Sequence, residues 1–122
     1  MTPLYQTVIT RVGPYAYDAL AENMLILFDE TVPQDAGDYC FIHAADTLKG
    51  DIHPGAGLAI DTDRYTVTAV GDVVGKNLAQ LGHITIVFDG QPTAKNPGSL
   101  HVLGPIPDSL QVGSTISITA RP

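Results

Sequence analysis

The chain has 122 residues, 44% of them hydrophobic, with six Lys and Arg against thirteen Asp and Glu and a formal net charge of −7. That length holds one ordinary domain, read as a single unit over residues 1–122, and the apolar share excludes a disordered chain. The acidic balance excludes a nucleic-acid binder, which needs a basic footprint, and an anionic membrane surface, while it suits a basic protein partner and, equally, solubility alone.

Cys40 is the single cysteine, so no internal disulfide forms and a reducing compartment is expected. The first ten residues carry no Lys or Arg and no apolar stretch of signal-peptide length follows. The longest apolar run, Met24 to Phe28, is too short to cross a bilayer. The expected location is cytoplasmic.

Taken in chain order, the dominant hydrophobic period is two, which predicts strands. Gln6 to Val12 is the first, and Asn23 to Phe28 the second. Pro33 to Gly37 fits a single helical turn. Cys40 to Ala44 and Gly57 to Asp61 are further strands, and Asp61-Thr62-Asp63 suits a hairpin turn. Tyr65, Val67 and Ala69 alternate with Thr66 and Thr68. A helix is then expected, with Asp72 as its cap, Val74, Leu78 and Leu81 on one face, and Gly82 at its end. Ile84, Ile86 and Phe88 alternate with Thr85 and Val87. Asp89-Gly90 and Pro97-Gly98 are turn signals. Leu100 and Val102 flank His101, and Ile116 and Ile118 alternate with Ser117 and Thr119. No sequence repeat is visible. The expected fold class is all-β, a small closed β-barrel with one short helix, with a sandwich as the other arrangement of such strands.

The chemistry rests on few residues. There is no phosphate-binding loop, dinucleotide fingerprint, nucleophile elbow or paired-cysteine zinc motif. That leaves four histidines and the cysteine. His83 and His101 lie on strands whose other faces are apolar, so both should point away from the core as surface histidines. His53 precedes Pro54-Gly55 and sits at a turn. His43 stands apart. Phe41, His43 and Ala45 share one strand face, and Cys40, Ile42 and Ala44 the other. A neutral imidazole among small apolar neighbours is a usable nucleophile or proton carrier, and a satisfied core histidine is the equally weighted plain reading. Asp46 is placed to orient the ring, and Lys49-Gly50 to offer a cation and a backbone N–H to an anion. Cys40 faces away from His43, which disfavours a Cys-His pair, and reads as a small buried hydrophobe.

Tyr39-Cys40-Phe41-Ile42-His43, then Leu48-Lys49-Gly50 and His53-Pro54-Gly55, form a distinctive series. Val67-Thr68-Ala69-Val70-Gly71, Leu81-Gly82-His83, Phe88-Asp89-Gly90, Pro97-Gly98 and Gly104-Pro105 continue it. In order and spacing these pieces resemble the glucitol/sorbitol-specific IIA component of the bacterial phosphoenolpyruvate-dependent sugar phosphotransferase system, along essentially the whole chain. The resemblance implies a β-barrel phosphocarrier with His43 as the phosphoryl acceptor. The implied donor is the phosphohistidine carrier HPr, and the implied acceptor is a cysteine on the IIB part of a sorbitol permease that also carries the membrane-embedded IIC part. It implies no cofactor and no metal, and leaves homo-oligomers open. Where the family has a second histidine or cysteine close after His43, this chain has Ala44-Ala45, so any helper role is either absent or moved, with His53 as the candidate. Because two partners must reach His43, the site is expected outside the deep core. A competing reading is a cupin-like barrel binding a metal or sugar through His53 and His101, weakened by the lack of a His-x-His pair with a matching Glu. A third is a regulatory or structural module without chemistry.

Overall fold

The computed structural model describes residues 3–33 and 35–121. Its elements run β1 (Tyr5–Val12), α1 (Ala16–Ala21), β2 (Met24–Asp29), β3 (Phe41–His43), β4 (Gly57–Ile60), β5 (Asp63–Val70), α2 (Val74–Leu81), β6 (Ile84–Val87), β7 (Ser99–Leu103) and β8 (Thr115–Thr119). The strands close into a barrel in the order β1-β3-β2-β6-β7-β5-β4-β8. Closure leaves no unpaired strand edge. The alternation in the sequence is the cause. Tyr5, Thr7 and Ile9 of β1 are buried between exposed Gln6, Val8 and Thr10, and Leu58 and Ile60, Ile84 and Ile86, and Ile116 and Ile118 fill the same interior. No helix among the described residues is long and apolar enough to cross a membrane.

Two features depart from the expected plan. A second helix, α1, is present. It buries only Ala16, Ala19 and Leu20, a stripe too short and too small to stand out as a helical period. In α2 the cap position is Val73, without a side-chain hydrogen bond, so Asp72 does not cap it. Gly82 does end it, in the left-handed conformation. The helical turn expected over Pro33 to Gly37 includes Gln34, which lies outside the described residues, and Asp35 to Tyr39 are turns.

A repeat invisible in the sequence is present in the structure. The succession β1-α1-β2-β3-β4 recurs as β5-α2-β6-β7-β8, and the barrel order is unchanged when the two sets are exchanged and read in the opposite direction. The hydrogen bonds repeat with it. Gly13 N–H donates to Cys40 O at 2.9 Å, and Gly71 N–H to Ser99 O at 2.8 Å. Gly113 N–H donates to Ile9 O at 2.8 Å, and Gly55 N–H to Val67 O at 2.7 Å. Each half has an irregular register in its first strand, between Ile9 and Arg11 and between Val67 and Ala69. In each a threonine hydroxyl bonds across the irregularity, Thr10 to Ile42 O at 3.4 Å and Thr68 to His101 O at 3.3 Å. These pairings make Ile42 the counterpart of His101, His43 that of Val102, and Thr7 that of Tyr65.

The parallel neighbours β2–β3 and β6–β7 need crossover connections rather than hairpins. Under the first crossover lies a small outer cluster of Val32, Cys40 and Ile42, with Ile26 and Phe28 against it. The second covers His101, as described below.

Candidate functional site

All three residues of β3 are buried, and His43 has 0% exposure. Phe41 belongs to the barrel core, while Ile42 and Cys40 belong to the outer cluster. Pairing with β1 sets Ile9 opposite His43, and parallel pairing with β2 sets Asp29 beside it. Thr7, on the same inward face as Ile9, meets the ring from one side: its Oγ1 is 2.9 Å from His43 Nδ1 and 2.6 Å from Ala44 O. On the other side His43 Nε2 is 2.6 Å from Gly82 O. The Tyr5 ring stands edge-on at 6.1 Å. The expectation of a site outside the deep core is therefore corrected: alternation on a strand with two covered faces leaves its inward residue no exposed place.

The hydrogen-bond chemistry fixes the proton. A carbonyl only accepts, so Nε2–H donates to Gly82 O. Burial pushes the imidazole below its usual value and outweighs the Gly82 carbonyl and the charges of Asp29 and Glu30, which favour the proton. The ring is neutral near pH 7, with its lone pair on Nδ1. The single hydroxyl proton of Thr7 thus stands between two acceptors, Nδ1 and Ala44 O.

The cover over Nε2 is thin. It consists of Gly82, with Ala45 and Asp29 around it; a Cβ on Gly82 would stand 3.0 Å from His43 Nε2, 3.0 Å from Asp29 Cβ and 3.2 Å from Ala45 Cβ. Gly82 has φ +58, where a side chain adds backbone strain. Gly82→Ala is expected to lower stability by about 1–2 kcal/mol from strain and crowding together, read as a fall in the urea midpoint. An unchanged midpoint would mean that the segment over the ring is loose.

The other expected site residues lie elsewhere. His53 is exposed at a turn closed by Ala56 N–H on His53 O at 3.0 Å, and lines an open groove with Asp51, Asp72 and Lys76. Lys49 is exposed, and its backbone N–H donates to Leu4 O at 2.9 Å. Neither hydrogen-bonds to the ring. Asp46 does not orient it either; its N–H donates to the Tyr5 hydroxyl at 3.2 Å. The orienting groups, Thr7 and Gly82, were missed. The available signal for Thr7 was a hydroxyl at an inward position between Tyr5 and Ile9.

His83 is half-buried outside the barrel, donating from Nδ1 to Leu27 O at 3.1 Å and leaning on Phe28. His101 corrects the expectation of a surface histidine. It does lie outside the core, but the β6–β7 crossover covers it to 1% exposure. Its Nδ1–H donates to Asp89 Oδ1 at 2.7 Å, and its Nε2 accepts Lys95 N–H at 3.0 Å. Both nitrogens are committed, so His101 cannot join His53 in a metal or sugar site. No group of three or more His, Cys, Asp or Glu side chains among the described residues is arranged to hold a metal. Cys40 is buried, and burial pushes its thiol up, as suits a small hydrophobe.

The molecule is a closed barrel with a neutral imidazole enclosed in it, and its likeness to a solved structure gives the class. The crystal structure of a phosphotransferase-system IIA component from Enterococcus faecalis V583 matches with a TM-score of 0.82 and 27% identity, covering 91% of this chain and 96% of that one. Residues 4–117 match the family described as the PTS system glucitol/sorbitol-specific IIA component. The glucitol/sorbitol-specific EIIA components of Escherichia coli (strain K12) and Shigella flexneri are each 51% identical over 116 residues, 95% of this chain and 94% of theirs. The chain belongs to this IIA family, and its role is that of a phosphocarrier within a phosphotransferase system.

Proposed function

We propose that His43 accepts a phosphoryl group on Nε2 from the phosphohistidine of HPr, in the cytoplasm, and passes it to the cysteine of the IIB part of a glucitol/sorbitol permease. Residues 1–122 act as one phosphocarrier domain. The observation that carries this reading is the neutral, oriented imidazole of His43, the one histidine in the barrel interior among the four. Transfer between two imidazoles joins near-equal leaving groups, so it needs alignment and water exclusion more than strong chemical activation.

Geometry favours Nε2. The Nδ1 side is closed by Thr7 and the chain of Ala44, with no gap for a phosphoryl group. The Nε2 side is closed by the Gly82 carbonyl, at the end of a helix and the start of a short connection, with the side chains of Ala45 and Asp29 around it. Docking of a partner must displace that carbonyl, which trades one hydrogen bond for contact with the partner. Such docking is brief and needs a small interface.

The test is incubation with phosphoenolpyruvate, the general enzymes of the system and HPr, followed by intact-mass measurement. One phosphoryl group is expected, lost in acid and kept in alkali, and mapping to His43. Label on His53, His83 or His101 would sink the reading. His53 and Lys49 are proposed as auxiliary contacts to the phosphoryl group in the docked complex, since both are exposed on the segment that follows β3. For His53→Ala, phosphorylation roughly 3- to 10-fold slower is expected, the loss of about one hydrogen bond. An unchanged rate in both directions would leave His53 a turn residue.

A further inference from the structure

We propose that Thr7 is the positioning residue of phosphoryl transfer, its hydroxyl changing partner between Nδ1 and Ala44 O as the proton of His43 moves from Nε2 to Nδ1; this rests on His43 being the acceptor. At rest Nε2–H is held by Gly82 O and the lone pair lies on Nδ1, toward the Thr7 hydroxyl. In that state the nitrogen on the openable side cannot attack, because it carries the proton. When the Gly82 carbonyl withdraws and water enters, Nε2 gives its proton to that water, while Nδ1 takes the hydroxyl proton of Thr7, which is replaced by a proton from water, so the ring stays neutral and the hydroxyl intact. The ring then needs an acceptor at Nδ1. Thr7 becomes one by turning its own proton fully onto Ala44 O, 2.6 Å away. The Nε2 lone pair forms the new P–N bond, the donor's P–N bond breaks with its electron pair left on the donor nitrogen, and the proton stays on Nδ1. The phosphorylated ring keeps an Nδ1–H···Oγ1 bond and the hydroxyl an O–H···O=C bond, so no buried polar group is stranded in either state.

Two observations make this more than packing. The fold itself does not need a hydrogen-bonded pair here: in the other half of the barrel the counterparts of Thr7 and His43 are Tyr65 and Val102, both buried in the apolar core, and valine offers the tyrosine hydroxyl no polar side chain to bond. The hydroxyl also sits between two acceptors rather than one, the minimum a two-position switch requires. A residue that only filled space would serve as well as valine.

The experiment compares Thr7→Val, Thr7→Ser and His43→Gln in the same phosphorylation assay, with ring ¹⁵N NMR on the parent and the two threonine variants. Thr7→Val, nearly isosteric, is expected to accept the phosphoryl group roughly 10- to 100-fold more slowly, the cost of leaving Nδ1–H without an acceptor. Thr7→Ser is expected to stay within about three-fold of the parent, since the one hydroxyl bond is kept. In the parent the ¹⁵N shifts should report Nε2–H at rest and Nδ1–H after phosphorylation. Parent-like rates in Thr7→Val overturn the proposal, as does an Nδ1-linked phosphoryl group in the parent, a readout that stands even if Thr7→Val fails to fold. Label retained by His43→Gln instead overturns the acceptor assignment itself, so the two failures are distinguishable.

Discussion

His43→Gln is expected to take up no phosphoryl group, a loss of at least about 10³-fold in rate, because no other imidazole lies in the barrel interior: His53 is exposed at a turn, His83 is half-buried outside the barrel, and both nitrogens of His101 are bonded. Glutamine keeps a polar side chain of comparable reach but has no nucleophilic ring nitrogen. The substitution also acts on the fold. His43 has 0% exposure and two hydrogen bonds, and the amide of glutamine cannot meet Thr7 and Gly82 with the same geometry. A stability loss of about 1–3 kcal/mol is expected, and about 3–4 for His43→Ala, which adds a cavity and two unpaired groups. Circular dichroism at a temperature well below the transition keeps loss of chemistry apart from loss of structure. Residual label in a folded His43→Gln protein would remove the assignment.

The same burial gives a pH signature. The folded-state pKa of His43 is depressed, so below the unfolded value of about 6.5 the unfolded chain binds the proton more readily. Stability from this group is complete above that pH and is lost as pH falls toward the folded value. In His43→Gln that slope disappears, which urea titrations between pH 7 and pH 5 would register.

Much of this molecule was legible from its residues. All eight strands fall in segments read as strands: most alternate because a closed barrel has one interior, while β3 and β7 are buried on both faces where the crossovers cover them. The hairpin at Asp61 was legible for a local reason: aspartate tolerates the positive φ of 53° found there. What escaped was non-local. Helix α1 buries two alanines and a leucine, too little apolar surface to print a period. The internal repeat left no sequence trace, since the halves share backbone hydrogen bonds while equivalent side chains differ, as Ile42 and His101 do. The acceptor strand was legible from its apolar faces, but its depth was not. Burial of His43 depends on β1 and on the end of α2, which come from positions 36 residues before and 39 residues after it. The charged residues beside it in the sequence, Asp46 and Lys49, looked like its partners and are not, because the chain leaves the barrel immediately after β3.

His101→Ala is expected to be the most destabilising substitution outside the site, by about 2–4 kcal/mol, or a fall in Tm of roughly 10 °C. The ring is enclosed by the segment it holds: Asp89 at the start of the crossover and the backbone N–H of Lys95 near its end. This crossover closes the barrel between two parallel strands, and its fixed points are few. Thr68 Oγ1 donates to Gln91 O at 2.7 Å and Gln91 N–H donates to Asp89 Oδ1 at 3.1 Å, and at the other end Pro97 O accepts Val73 N–H at 3.0 Å, so removing the imidazole frees the middle of the segment between these two ends. Ala94 and Lys95 should then gain hydrogen-exchange rate, and the segment around them protease sensitivity, before the rest of the barrel. The acid limb should change as well. Burial alone raises the Asp89 carboxyl, but the hydrogen bond from His101 and the N–H of Gln91 hold it below its usual value. Its contribution is present above pH ~4 and lost as pH falls through the lower folded value, so His101→Ala flattens stability there. Phosphorylation of the folded variant should match the parent, since His43 and its partners lie on β1, β3 and the end of α2. A His101→Ala protein with parent-like Tm and exchange would show that the crossover is held by its turns alone.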